Sequence, residues 1–182
     1  MRIISGKFKG RLLTQFKADH IRPTMDRVKE TLFNKWMHEV DECVFLDLFA
    51  GTGSLGLEAL SRGANHVTFV EKNFKSSQII QNNLDLLKIP NEQFQIIQKD
   101  VISFLKTYDQ RAFNLIVIDP PFTEKMAHDV MQELSKSLVW NENTLIAIES
   151  IKQERIDAQY GDLFAYDVKD YGDKFLSLFK KK

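Results

Sequence analysis

The chain has 182 residues and a mass of 21.2 kDa, and 43% of its residues are hydrophobic, which favours one packed domain. Its single cysteine, Cys43, excludes an internal disulfide and a cysteine-rich zinc site, and no apolar run approaches the ~20 residues of a membrane span. The formal net charge is zero, but residues 1–36 carry nine Lys or Arg against three acidic residues, so a basic arm precedes an acidic body.

The basic arm predicts a small hairpin followed by an amphipathic helix. The hairpin tip, residues 6–10, holds two lysines around a phenylalanine, a composition that suits phosphate contacts and base stacking as well as a plain turn. Thr24 is expected to cap the helix, whose apolar residues recur at intervals of three and four as far as Val40. Such an arm fits a polyanionic substrate, and a solvated basic face is the alternative.

Residues 47–56 form the stretch around which the chain is organised. An apolar strand leads into glycines at 51, 53 and 56 and a helix follows, so backbone and free N–H groups are expected to approach a ligand closely. Both dinucleotide-binding and S-adenosylmethionine-binding folds use this arrangement, and Glu71 at the next strand end suits ribose hydroxyls in either. Asp47 favours the second class, because a carboxylate there suits a cationic ligand with an amino group.

From residue 43 onward, strands and helices alternate. The predicted strands are 43–48, 66–71, 94–98, 113–118 and 144–148, with helices at 54–62, 73–87, 101–107 and 123–138. A C-terminal hairpin, 164–169 and 174–179, is expected to add an antiparallel edge. The pattern predicts a single α/β domain, 1–182, with a doubly wound, mostly parallel, seven-stranded Rossmann-like sheet. Residues 1–40 would form its basic extension and residues 41–182 its core.

Four acidic residues are predicted to share one edge of this sheet. Asp47, Glu71, Asp100 and Asp119 each follow a successive strand, and ligands bind outside the carboxyl ends of parallel strands. Asp119 also opens the tetrad Asp119-Pro120-Pro121-Phe122, for which a nicotinamide enzyme has no evident use. The arrangement therefore predicts one cleft at this edge, which suits a cationic cofactor such as S-adenosylmethionine.

These residues resemble a known family. Residues 47–56, Glu71, Asp100 and the tetrad resemble class I S-adenosylmethionine-dependent methyltransferases, and the tetrad is similar to their motif for methylating exocyclic or amide nitrogens. Segments 2–6, 9–11, 22–28, 30–34 and 57–63 closely resemble the RsmD family, which methylates guanine N2 in small-subunit ribosomal RNA. The similarity covers nearly the whole chain. Lys29, where the family usually has Arg, and Thr52 and Ser54 in the glycine loop are small departures that keep the charge and the glycines.

The resemblance implies a guanine-N2 methyltransferase with S-adenosylmethionine as cofactor and no metal. The catalytic residues would be Asp119, Pro120 and Phe122. The cofactor-binding residues would be Asp47, Phe49, Ala50, Gly51, Gly53, Glu71, Asp100 and Val101. The RNA-binding residues would be Lys7, Lys9, Arg11, Arg22 and Arg27. We expect a cytoplasmic monomer that acts on ribosomal RNA within an assembled or nearly assembled small subunit.

Three alternatives remain open from the sequence. The same tetrad serves methyltransferases for DNA adenine N6 and for protein glutamine, although the basic arm favours nucleic acid. A nicotinamide-dependent oxidoreductase would bind its dinucleotide and not S-adenosylmethionine. A non-catalytic RNA-binding assembly factor would keep its role after Asp119 is replaced.

Overall fold

The computed structural model describes residues 1–14, 23–121 and 125–182, without the side chains of residues 23–25. The predicted residues Arg22 and Phe122 lie outside this description. The helices are α1 Pro23–Lys35, α2 Ser54–Ser61, α3 Phe74–Leu87, α4 Val101–Thr107 and α5 Met126–Leu134. The strands are β1 Val44–Leu48, β2 His66–Val70, β3 Phe94–Ile97, β4 Leu115–Ile118, β5 Leu145–Ile151, β6 Gln159–Tyr160, β7 Leu163–Asp170 and β8 Lys174–Lys181.

The strands form one sheet in the order β3-β2-β1-β4-β5-β8-β7-β6. The first five run parallel, while β8, β7 and β6 pair antiparallel to their neighbours. The predicted α/β class is confirmed, with eight strands because the two-residue β6 pairs with β7 at the edge. The chain reverses its winding direction between β1 and β4, which is where ligands bind in open sheets of this kind.

Side-chain alternation divides the core between the two faces of the sheet. On one face Phe45, Phe69 and Val117 pack with α2, α3 and the N-terminal segment. On the other face β1 and β4 contribute Leu46 and Ile116, which pack with α4 and α5. All four residues of β4 are buried, as expected for a central parallel strand covered on both sides.

The N-terminal residues 1–14 form a hairpin that lies along α2. Arg2 and Leu12 make an antiparallel bridge, so the predicted hairpin is present, although it has no extended strand pair. The buried Glu58 carboxylate on α2 accepts hydrogen bonds from Ile4 N at 2.8 Å and Ser5 N at 3.0 Å. These bonds fix the hairpin to the same helix that leaves the glycine loop.

Two element boundaries differ from the predictions. Strand β5 continues to Ile151 instead of ending at residue 148, because β8 supplies partners for the polar residues that follow: Glu149 pairs with Leu176 and Ile151 with Lys174. Helix α1 begins at Pro23, one residue before the expected cap at Thr24. None of the described helices combines the length and the apolar character that crossing a bilayer requires.

Candidate active site

Three of the predicted acidic residues lie on one face of the sheet at neighbouring strand ends. Asp47 on β1 is in register with Phe69 on β2 and with Val117 on β4. Glu71 follows Phe69 by two residues, and Asp119 follows Val117 by two residues. Because side chains two residues apart share a face, all three carboxylates point to the side covered by α2. The Asp119 N–H donates to Leu48 O at 3.3 Å, which fixes Asp119 beside the start of the glycine loop.

The glycine loop has a left-handed backbone at three positions before α2. Phe49, Gly51 and Gly53 have φ angles of 62°, 55° and 83°. A Cβ on Gly51 would meet nothing closer than Phe49 O at 3.9 Å, whereas one on Gly56 would lie 2.2 Å from Phe69 Cε1. Gly51 therefore leaves open space for a ligand. Gly56 is needed for packing, not for the close approach to ligand that the sequence predicted.

Glu71 connects the glycine loop to the end of β2. One carboxylate oxygen accepts from Gly51 N at 2.8 Å and the other from Asn73 N at 2.7 Å. The neighbouring loop residue Ala50 donates its N–H to Val70 O at 3.1 Å. The loop is thus held at two successive residues, so its shape is largely set without a ligand.

Asp47 is covered by protein, with 1% of its surface exposed. Its Oδ2 accepts from Gly56 N at 2.8 Å and so fixes the first turn of α2. Burial raises the pKa of Asp47 to about 8; the Gly56 N–H opposes this rise, and the charges of Asp119 and Glu71 add to it. The observed contact of Asp47 is with the loop helix, and its predicted contact with a ligand remains a prediction.

Asp119 is half-buried at the exit of β4 and is followed by the buried Pro120. Burial raises the pKa of Asp119 to about 7; the Glu149 charge raises it further and the Lys174 ammonium lowers it. The sequence pattern did not single out Glu149 or Lys174. Glu149 could have been predicted, because it directly follows the predicted fifth strand, just as the other four acids each follow an earlier strand.

Asp100 and Val101 begin α4 at the end of β3, one strand beyond Glu71. The Asp100 carboxylate caps the helix by accepting from Ser103 N at 3.0 Å, and its side chain is otherwise exposed. Val101 packs its side chain into the core. The sheet order therefore places the four predicted acids along one edge, with Asp100 at its outer end.

The basic hairpin tip lies away from this edge. Lys7 N donates to Ser61 O at the last residue of α2, and an eight-residue helix spans about 12 Å, so Lys7 and Lys9 lie roughly that far from the glycine loop. The predicted RNA-binding residues Lys7, Lys9, Arg11 and Arg27 are all exposed. Lys29 is instead buried, and its Nζ reaches Arg2 O at 2.9 Å and Ser54 Oγ at 3.3 Å.

No group of three or more His, Cys, Asp or Glu side chains is placed to hold a metal ion among residues 1–14, 23–121 and 125–182. The four carboxylates along the edge instead bind backbone N–H groups or lie beside an ammonium group. Their arrangement suits an organic ligand with cationic and hydroxyl groups.

The chain resembles known proteins along almost its whole length. The family model described as Conserved hypothetical protein 95 matches residues 1–180. The chain is 40% identical over 155 residues to ribosomal RNA small subunit methyltransferase D of Haemophilus influenzae, covering 85% of this chain and 80% of that protein. It is 34% identical over 184 residues to the putative rRNA methyltransferase YlbH of Bacillus subtilis, covering 100% of both. A solved structure of the putative methyltransferase yhhF from Escherichia coli matches with a TM-score of 0.89 and 32% identity, covering 100% of this chain and 98% of that one.

Proposed function

The chain belongs to the Conserved hypothetical protein 95 family, the RsmD-type methyltransferases, and from that premise we propose which residues carry the reaction. The enzyme uses S-adenosylmethionine to methylate guanine N2 in small-subunit ribosomal RNA. The observation that supports our assignment of residues is the position of Asp119, which hydrogen-bonds through its N–H to Leu48 at the start of the glycine loop. Acceptor and cofactor sites then share one edge of the sheet.

The residues at this edge fit S-adenosylmethionine. Gly51 leaves the open space that a Cβ would fill, and Glu71 lies beside it with a carboxylate suited to ribose hydroxyls. We assign the adenine end to Asp100 and the Val101 backbone, and the methionine end to Phe49, Ala50, Gly51, Gly53 and, through the α2 turn, Asp47. When bound, S-adenosylmethionine supplies a methyl group activated by its sulfonium sulfur.

Asp119 is our proposed catalytic residue. The amino nitrogen of guanine is a weak nucleophile because its lone pair is delocalised into the ring. An ionised Asp119 accepts a hydrogen bond from this amine, directs its lone pair, and stabilises the positive charge that grows on nitrogen. With a pKa of about 7, a large share of Asp119 is ionised at neutral pH. Pro120 restricts Asp119 to an extended backbone.

The guanine must leave any base pair to reach Asp119. Unstacking costs a few kcal/mol, and a loop nucleotide largely avoids that cost. We propose that Phe122, which lies outside the described residues, stacks on the base and contributes ~1–3 kcal/mol. The basic hairpin tip, about 12 Å from the glycine loop, would contact a second part of the same RNA.

A folded RNA surface can reach both regions at once, which supports the assembled or nearly assembled small subunit as substrate. We further propose that residues 1–40 form the RNA-contacting part and residues 41–182 the cofactor and catalytic core. A monomer in the cytoplasm is the expected state of the enzyme.

Transfer of labelled methyl groups tests this proposal. We expect label from S-adenosylmethionine to enter small subunits that lack the modification, and nuclease mapping to place it on guanine N2. Naked ribosomal RNA should accept less label than the particle. Label in duplex DNA or in protein glutamine, with none in ribosomal RNA, would overturn the assignment.

A further inference from the structure

Two buried charged residues at the edge of the site have no part in the function as described so far. Lys174 opens β8 with 3% of its surface exposed, and Glu149 lies near the end of β5 with 9% exposed. The Lys174 ammonium and the Glu149 carboxylate form an ion pair. A buried ion pair is commonly no more stabilising than two apolar side chains of similar size, so its presence beside a reactive carboxylate suggests another role.

The sheet places this pair next to Asp119. Strands β4 and β5 pair with Ile118 opposite Ile148, so the next residues, Asp119 and Glu149, lie side by side. Strand β8 lies on the other side of β5, and Lys174 is opposite Ile151. Alternation puts all three charged side chains on the face that holds Val117, Ala147 and Leu176. Three adjacent strands thus present a carboxylate, a carboxylate and an ammonium in a row.

We propose that Lys174 and Glu149 are positioning residues that set the charge of Asp119. The proposal rests on the function assigned to Asp119 above. An ionised Asp119 accepts a hydrogen bond from the guanine amine, whereas a protonated Asp119 would offer a donor to a group that is itself a donor. Lys174 provides the positive charge that keeps Asp119 ionised, and Glu149 holds the ammonium at the strand end through their ion pair.

The charged groups around Asp119 support this division of labour. Among the described residues, the titratable groups that interact with Asp119 are Glu149 from β5, Lys174 from β8 and Asp47 from β1, and of these Lys174 alone is cationic. Burial and Glu149 raise the pKa of Asp119, and Lys174 lowers it. Removal of Lys174 would leave Asp119 beside an uncompensated Glu149 carboxylate. Removal of Glu149 would leave it beside an uncompensated ammonium. The two changes must therefore act in opposite directions.

The test is a titration of the Asp119 carboxyl carbon by NMR in the full-length enzyme labelled with ¹³C-aspartate. The Asp119→Asn variant assigns the resonance. We expect Lys174→Met to raise the titration midpoint by about one pH unit or more, and Glu149→Gln to lower it by about half a unit or more. The double variant Lys174→Met/Glu149→Gln, which leaves no unpaired charge, should return close to the wild-type midpoint.

Lys180→Met is the matched control, because Lys180 is an exposed lysine on the same strand, six residues or roughly 20 Å away. It should leave the midpoint unchanged. The acidic limb of the pH profile of kcat/KM should follow the same shifts. If Lys174→Met does not fold, Glu149→Gln and the double variant still decide the matter, since Glu149→Gln alone should lower the midpoint and the added Lys174→Met should raise it back to that of wild type. Lys174→Arg keeps the positive charge and should keep the wild-type midpoint.

Shifts of the two single variants in the same direction, or no shift beyond that of Lys180→Met, would overturn the proposal. So would a midpoint far from wild type in Lys174→Arg or in the double variant. Failure of the assigned function has a different signature: Asp119→Asn would retain methyl transfer while the carboxyl titration still responded to Lys174 and Glu149.

Discussion

The Asp47 carboxylate accepts a hydrogen bond from the Gly56 N–H at 2.8 Å although the side chain is almost completely buried. The bond joins the end of β1 to the first turn of α2 across the glycine loop. A single acceptor thus fixes the angle at which the loop enters the helix. This arrangement requires a buried carboxyl group, and the free energy of burying that group depends on pH because burial disfavours the ionised form.

Asp47→Asn should make the enzyme more stable at high pH. The folded state raises the Asp47 pKa from 3.8 to about 8, so it binds the proton more tightly than the unfolded state and loses stability as pH rises through this range. Asparagine keeps an acceptor for Gly56 and never ionises. At pH 8 the free energy of unfolding of the variant should exceed that of wild type by ~1 kcal/mol, which raises its Tm by about 2–4 °C. Near pH 4 the two Tm values should be equal. A variant less stable than wild type at every pH would contradict this.

Gly51→Ala should weaken cofactor binding much more than stability. A Cβ at this position contacts no protein atom closely, so the variant folds with only the left-handed strain of about 1–2 kcal/mol. The methyl group enters the space assigned to the ligand, and the Kd for S-adenosylmethionine in calorimetry should rise tenfold or more. Gly161→Ala is the control, since its φ of 57° matches the 55° of Gly51. It should lose the same stability and bind normally; equal binding by both variants would refute the assignment.

Asn83→Ala should loosen the N-terminal hairpin. The buried Asn83 amide accepts from Thr14 N at 2.7 Å and donates to Thr14 O at 3.0 Å and to Thr52 O at 3.3 Å, so it ties the hairpin end to the glycine loop. Loss of these bonds should cost about 1–3 kcal/mol and speed hydrogen exchange in residues 1–14. The half-buried neighbour Gln81, whose amide donates to Asp85 on the same helix, should alter neither when it is changed to Ala. Unchanged exchange in Asn83→Ala would show that the bonds of the hairpin to α2 and Lys29 hold it without Asn83.

Lys7→Glu combined with Lys9→Glu should affect RNA and not the cofactor. The tip lies at the far end of α2 from the glycine loop, so KM for the small subunit should rise while the Kd for S-adenosylmethionine stays unchanged. If both lysines contact phosphates, the slope of log K against log salt should fall by roughly two. Lys136→Glu, an exposed lysine after α5, is the control. An unchanged salt slope would place the RNA elsewhere.

Local patterns in the sequence were sufficient to predict the strands and helices that form the proposed cofactor edge. The strand, glycine loop and helix at residues 43–61 and the short helix 101–107 are present as predicted, because alternation, capping and apolar spacing act within a few residues. Contacts between distant segments were not predictable. The partner of Glu149 is 25 residues away on an antiparallel strand, and the buried Glu58 binds N–H groups more than fifty residues earlier.

The same limit applies to individual residues. Glycines at 51, 53 and 56 are equivalent in the sequence pattern, and only the surroundings in three dimensions separate Gly51 from Gly56, which Phe69 crowds. The RNA-binding prediction for the hairpin tip carried no information on where the tip lies relative to the glycine loop. The distance of the tip from the loop follows from the direction in which the hairpin lies along α2.

The central claim is that Asp119 acts on the acceptor amine, and the direct measurement is single-turnover methyl transfer by Asp119→Asn to unmodified small subunits. The account predicts a fall in rate of about 10²–10⁴-fold, while the Kd for S-adenosylmethionine and the Kd for the subunit change by less than about threefold. A rate within tenfold of wild type, with both ligands bound, would show that the chemistry occurs without this carboxylate.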